Sequence, residues 1–173
     1  MAFLQEFVLV DHTKQDLKRF NCGKPDMNMF LSRFAVKNMR LNLSRTWVLP
    51  VISEERSAQK SQIAAYYSLA SSTVMREEIP SETRLPGYPV PMVLLARLAV
   101  DEEFKGCRLG EKTLLSALKK SVELSDAGLP ALGVIVDVLD EEVLRFYQHY
   151  GIFEPFTDDP MRLFVSMHIL KQI

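Results

Sequence analysis

The sequence predicts a single α/β domain, residues 1–173, with a mixed, mostly antiparallel sheet flanked by helices and a central parallel strand pair. Three observations lead there. A continuous apolar run, Met92 to Val100, is followed by a charged turn and a glycine-bearing loop, Lys105-Gly-Cys-Arg-Leu-Gly110, that opens into a long helical pattern. A second apolar run, Ala131 to Val138, follows that pattern, and a strand–helix–strand unit of this kind has parallel strands. A hairpin before the unit and a terminal strand pair after it supply the antiparallel part.

Glu6 to Asp11, rich in Phe and Val, reads as the first strand, and Lys14 to Phe20 as a short helix. Asn21 to Asp26 is a loop, with Asp26 placed to cap a longer helix running from Met27 to Leu41. On that helix Met27, Phe30, Phe34 and Leu41 share one face at helical spacing. Arg33, Lys37 and Arg40 share an adjacent face at i, i+4 and i+7. Arg45 to Ser53 and Gln62 to Val74 read as strands of a hairpin, joined by a polar turn over 54–61. Residues 76–91 hold Pro80, Pro86, Pro89 and Pro91 and form a long connecting loop, a class that is usually functional or disordered.

After the strand Met92 to Val100 comes an amphipathic helix, Leu109 to Ser125, with Leu114, Leu115, Leu118 and Val122 on one side. Gly128 and Pro130 end it. Beyond the strand Ala131 to Val138, Glu141 to Tyr150 is a short helix closed by Gly151. Ile152 to Phe156 and Leu163 to Ile169 form the terminal strand pair.

Composition narrows the class. The 173 residues are 47% apolar and 25% charged, ordinary for a globular protein. No apolar run reaches the roughly 18 residues that span a bilayer, and the N-terminus lacks a basic region and cleavage site, so a cytoplasmic protein with no membrane partner is expected. Cys22 and Cys107 are too few for a disulfide scaffold. Net charge is −1, but Lys14 to Arg45 holds eight basic residues against Asp16 and Asp26, a local +6 that hints at a polyanionic partner. His12, His149 and His168 are scattered without metal-ligand spacing, so no metal is expected.

The loop before the long helix has the layout of an anion site. Free N–H groups at a helix N-terminus carry partial positive charge, and Gly106 and Gly110 let a ligand approach the backbone. By residue type alone the loop can equally be a plain strand-to-helix turn. Tyr147 can be a packing residue, and Arg33, Lys37 and Arg40 a solvated helix face. Cys107 could serve as a nucleophile, but direct transfer is more economical. Asp137, Asp140, Glu141 and Glu142 suit helix capping and the helix dipole better than base catalysis.

Taken together, Phe20-Asn-Cys-Gly, Phe30-Leu31, Ala65-Tyr-Tyr-Ser-Leu69, Ala96-Arg-Leu-Ala-Val-Asp101, the 105–110 loop and Phe146-Tyr147 resemble the GNAT N-acetyltransferase superfamily. Within it they look like the toxins of bacterial toxin–antitoxin pairs, of the TacT and AtaT kind. The order of elements is similar across almost the whole chain.

The resemblance implies a GNAT fold, acetyl-CoA as cosubstrate and acetylation of the α-amino group of aminoacyl-tRNA, which stops translation. It implies a ribbon-helix-helix antitoxin as partner and a homodimer. It implies that Leu98, Ala99 and Val100 lie along the pantetheine arm, that Lys105, Gly106, Cys107, Arg108, Leu109 and Gly110 hold the pyrophosphate, and that Tyr147 protonates the departing thiolate. Arg33, Lys37 and Arg40 are then the candidate tRNA contact, with Lys14, Lys18 and Arg19 behind them. A small amine or protein N-terminus as acceptor, or a catalytically weak binding module, are the alternatives.

One departure from the family pattern bears on acetyl-CoA. Lys105 stands at the loop's first position, and Arg108 replaces its middle glycine. A left-handed backbone at Arg108 would cost ~1–2 kcal/mol. An ordinary φ is expected, which would keep the N–H as donor and free the guanidinium to pair with a phosphate.

Overall fold

The computed structural model describes residues 2–3, 6–52, 59–80 and 84–173. The chain separates into two units, Met1–Leu69 with Arg97–Ala117 and Ala70–Ala96 with Leu118–Ile173. Each has its own apolar clusters.

The first unit opens with three short strands, β1 (Ala2–Phe3), β2 (Val8–Leu9) and β3 (Gln15–Asp16). A helix in three parts follows: α1 (Pro25–Met29), a π-helical turn (Phe30–Phe34) and α2 (Ala35–Arg40). β4 (Arg45–Ile52) and β5 (Ser61–Val74) form the expected hairpin, with Arg45 opposite Leu69 and Leu49 opposite Ala65. β1 and β2 lie antiparallel on β4, while β3 runs parallel to β5. β6 (Val90–Val100) completes the order β1–β4–β5–β6. The turn expected over 54–61 lies mostly outside the described residues, as do positions 81–83 of the proline-rich loop; Arg76–Glu78 of that loop form a 3₁₀ turn.

Lys14 to Phe20 is not the helix its composition suggested. Gln15 and Asp16 pair with Ser61 and Gln62. The buried Gln15 side chain accepts the Asp11 N–H at 2.7 Å, and Leu17 and Phe20 turn into the core. Sheet pairing and burial override a weak local preference.

The long helix also differs from expectation. It starts two residues earlier, with Pro25 at its first position and Lys24 as cap, so Asp26 sits in the first turn instead of capping it. Phe30, Leu31 and Ala35 are buried, whereas Phe34 is 42% and Leu41 56% exposed. The π-turn is the reason. Ala35 N–H reaches back to Phe30 C=O, five residues earlier, and the extra residue rotates the following side chains off the original stripe. Asn42 closes the helix at φ +58, and Leu43 N–H bonds Asn38 C=O at 2.9 Å.

Asp101, 3% exposed, ties the loop before this helix to the end of β6. One carboxylate oxygen accepts Asn21 N–H and the other accepts Glu103 N–H, both at 2.9 Å. Asn21 Oδ1 in turn accepts from Gly23 N–H and Asn28 Nδ2. Gly23 has φ +87, and a Cβ there would strike the Glu102 carboxylate, which accounts for glycine in Asn-Cys-Gly.

α3 (Leu109–Ala127) leads from the first unit into the second, and β7 (Gly133–Asp137) pairs parallel with β6, Val93 opposite Val134, as the strand–helix–strand reading required. α4 (Glu141–Gln148), β8 (Glu154–Pro155) and β9 (Arg162–Ser166) follow. The strand order is β6–β7–β9–β8, with β9 antiparallel to both its neighbours. The last residues of the expected terminal strand are instead a short helix, α5 (Met167–Leu170), capped by Ser166 Oγ accepting Ile169 N–H. Among the described residues no helix is long and apolar enough to cross a membrane.

Burial pushes the Tyr66 and Tyr147 phenols well above their ordinary value of 10.0. Both groups are therefore neutral in the folded state and ionise more readily when unfolded. Their contribution to stability is complete below about pH 10 and is lost as pH rises further. Urea unfolding between about pH 8 and 11 is expected to show a decline above pH 10 that is shallower in Tyr147→Phe. An identical slope in that variant would mean that Tyr147 titrates normally.

Candidate active site

The residues expected to hold acetyl-CoA are contiguous in the first unit. On β6, Ala99 is buried with Phe30 and Tyr66, and Val100 packs with Phe104 and Leu109, so successive side chains anchor opposite faces of the strand. Asp101 N–H bonds Ala64 C=O at 2.8 Å, and Glu102–Phe104 form a 3₁₀ turn capped by Asp101. Lys105, Gly106, Cys107 and Arg108 are all exposed, Leu109 is buried, and α3 starts there. Lys105 N–H is bonded to Glu102 C=O at 3.4 Å and Cys107 N–H to Phe104 C=O at 3.3 Å, and the loop then leads into the first turn of a 19-residue helix, where N–H groups have no intrahelical acceptor.

Gly106 has φ +91, and a Cβ there would meet nothing, so the backbone conformation is what calls for glycine. Arg108 has φ +57. The expectation of an ordinary φ at Arg108 is thus overturned: the arginine sits in the left-handed region that the family's glycine adopts freely. The exposed loop still fits an anion, because a left-handed residue directs its N–H as glycine would and adds an exposed guanidinium. Arg108→Gly is expected to raise the unfolding free energy by about 1 kcal/mol, the relief being partly offset by greater freedom in the unfolded chain. It is also expected to weaken acetyl-CoA about tenfold through the lost charge. Denaturant melts and calorimetric titration read the two effects separately, and an unchanged melt would show that the left-handed turn carries no strain.

Arg33, Lys37 and Arg40 are all exposed, and together they line a cavity of about 470 Å³ in the first unit. Sequence spacing indicated those three. Of the secondary candidates Lys18 lines it too, and the tertiary fold adds Lys60 from a separate segment, together with His12, Ser32 and a single carboxylate, Asp16. Lys60 carried no sequence signal, since its place depends on where β5 begins. Lys14 and Arg19 do not line this cavity, and Arg19 lies 3.9 Å from Glu103.

Tyr147 belongs to the second unit. Asp140 Oδ1 caps α4 by accepting Val143 N–H at 2.9 Å, and Glu141 and Glu142 occupy the first turn. Gly151, at φ +68, follows the helix and bonds Gln148 C=O. Asp137 is ion-paired with Arg162 at 2.9 Å, which makes it a poor base. Tyr147 is 4% exposed, its ring against Phe146 and Phe153 at 5.2 and 5.4 Å. Among the described residues its hydroxyl makes no hydrogen bond, and burial holds it protonated. A protonated phenol with an uncommitted O–H is equipped to donate a proton. Among the described residues no group of three or more His, Cys, Asp or Glu is arranged to hold a metal ion.

No protein-family model matches the chain. A tRNA-acetylating toxin of Mycobacterium tuberculosis (strain ATCC 25618 / H37Rv) is 32% identical over 155 residues, which is 88% of this chain and 86% of that protein. The chain belongs to the family of tRNA-acetylating toxins. Solved structures of toxins agree with that placement. AtaT complexed with acetyl-methionyl-tRNAfMet is 26% identical with a TM-score of 0.84, covering 99% of this chain and 98% of that one. AtaTR bound with AcCoA is 27% identical with a TM-score of 0.79, covering 99% and 96%. The architecture of this toxin-family chain, a mostly antiparallel sheet with the β6–β7 parallel pair and flanking helices, is the GNAT fold.

Proposed function

We propose that this protein is an acetyl-CoA-dependent N-acetyltransferase that acetylates the α-amino group of aminoacyl-tRNA and so blocks translation, as the toxin of a toxin–antitoxin pair. The observation that carries the acceptor is the cavity where Lys18, Arg33, Lys37, Arg40 and Lys60 converge with Asp16 as its one carboxylate. A small cationic amine calls for the opposite charge, whereas an RNA backbone calls for this one. The family relationship and the bound states of AtaT support the same acceptor and cosubstrate.

The chemistry asks little of the protein. An α-amine has a pKa near 7.7–8.0, against about 10.4 for lysine, so a large share is already neutral at physiological pH. Its nitrogen attacks the thioester carbonyl carbon, the C–S bond breaks, and the thiolate takes a proton from the Tyr147 hydroxyl. The proton shed by the new amide nitrogen restores the phenol through solvent. Arg108, Lys105 and the first N–H groups of α3 hold the pyrophosphate, and the β6 backbone at Leu98, Ala99 and Val100 lies along the pantetheine arm. Arg33, Lys37 and Arg40 hold the acceptor stem.

On this reading residues 1–173 act as one GNAT domain in the cytoplasm, where charged tRNA is found. A second copy of the chain and an antitoxin of ribbon-helix-helix type are its protein partners. The test is transfer of labelled acetyl from acetyl-CoA to bulk aminoacyl-tRNA, with uncharged tRNA as control. Label on charged tRNA alone is expected. Label on neither, with acetyl-CoA still bound, would move the acceptor to a small amine or a protein N-terminus.

A further inference from the structure

The chemistry above leaves the exposed aromatic side chain of Phe34 unused. Phe34 is 42% exposed in a helix whose other aromatic residue, Phe30, is buried. A regular helix would have carried Phe34 along the stripe begun by Phe30, and the π-turn between them turns it outward instead. Such turns give up regular helical bonding and recur at functional sites.

The surroundings of Phe34 are cationic. Arg33 precedes it, Lys37 follows within one turn, and residues 27–53 contain no Asp or Glu. Near the start of the π-turn the Arg97 guanidinium lies over the Phe30 ring, 4.9 Å from its centroid. Arg97 pairs with no carboxylate among the described residues. It immediately precedes Leu98 on β6, the strand assigned to acetyl-CoA. An exposed π-face bordered by cations without anions matches an unpaired nucleotide, whose base stacks while its phosphates are neutralised. An apolar protein surface fits this patch poorly, because docking would strip water from those cations.

We propose that Phe34 is a base-stacking platform for the single-stranded 3′ end of the acceptor tRNA, with Arg33 and Lys37, its neighbours on the same helix, holding the adjoining phosphates. This rests on the aminoacyl-tRNA reading and adds the feature that grips the unpaired end. Stacking needs an aromatic ring, whereas general hydrophobicity does not.

The experiment measures KM for aminoacyl-tRNA at saturating acetyl-CoA, with acetyl-CoA Kd alongside, for wild type, Phe34→Ala, Phe34→Leu and Phe34→Trp. Alanine and leucine are expected to raise KM about 5- to 150-fold, and tryptophan to stay within about threefold of wild type, with acetyl-CoA Kd unmoved throughout. Leucine behaving like wild type would overturn the proposal. So would a loss confined to antitoxin binding or oligomer size with KM unchanged. Unchanged KM in all variants of an active enzyme sinks only the stacking platform. A wild type that acetylates no charged tRNA sinks the acceptor reading and this proposal together.

Discussion

Replacing Tyr147 by phenylalanine is expected to lower the rate of acetyl transfer about 10²–10⁴-fold, the usual worth of a general acid, without weakening the fold. The ring contacts with Phe146 and Phe153 at 5.2 and 5.4 Å survive the change. The hydroxyl removed has no hydrogen-bond partner among the described residues, so none is left unsatisfied. Stability should therefore stay level or rise slightly. Because the acid acts only as the C–S bond breaks, the loss should fall on kcat, with KM for acetyl-CoA nearly unchanged. Single-turnover transfer to charged tRNA, run beside a thermal melt, measures both. A variant as active as wild type would return Tyr147 to the role of a packing residue.

The second large effect is expected from Arg33→Ala, Lys37→Ala and Arg40→Ala combined. Each removes an exposed cation from the groove and none is part of the core. If each meets one phosphate, the slope of log affinity against log salt should shrink by about 2–3, and affinity for charged tRNA at moderate salt should fall about 10- to 100-fold. Acetyl-CoA affinity should not move, because the cosubstrate loop lies elsewhere in the sequence and contributes nothing to this cavity. Binding isotherms at several salt concentrations decide the matter, and an unchanged slope would make these three an ordinary solvated helix face.

These two sites differ in how much of them the sequence revealed. Tyr147 was legible because it follows a capped first turn and precedes a glycine stop, both of which are local signals that survive into α4. The three basic positions were legible through their helical spacing. Lys18 was legible only as a secondary basic candidate, and Lys60 was not legible at all, because it reaches the same cavity from a segment more than forty residues from Lys18. The apolar face of the long helix was misread at Phe34 and Leu41 for a related reason. Periodicity assumes an unbroken 3.6-residue repeat, and the π-turn at Phe30–Phe34 breaks it. The reading of Lys14 to Phe20 as a helix failed because its fate lay with a distant strand at Ser61 and Gln62.

What the sequence determined by itself was the set of features governed by near neighbours and repeat spacing. These were the β4–β5 hairpin, the βαβ unit, the capped α4, the family likeness and the glycine-bearing loop at the start of α3. Tertiary structure alone decided the left-handed backbone at Arg108, the outward turn of Phe34, the burial that keeps Tyr147 protonated and the gathering of five cations around one cavity. The physical reason is range. Hydrogen bonds and side-chain periodicity act over a few residues and leave their mark in order along the chain. Burial, register slips and charge convergence are set by what packs against a residue from far away in sequence.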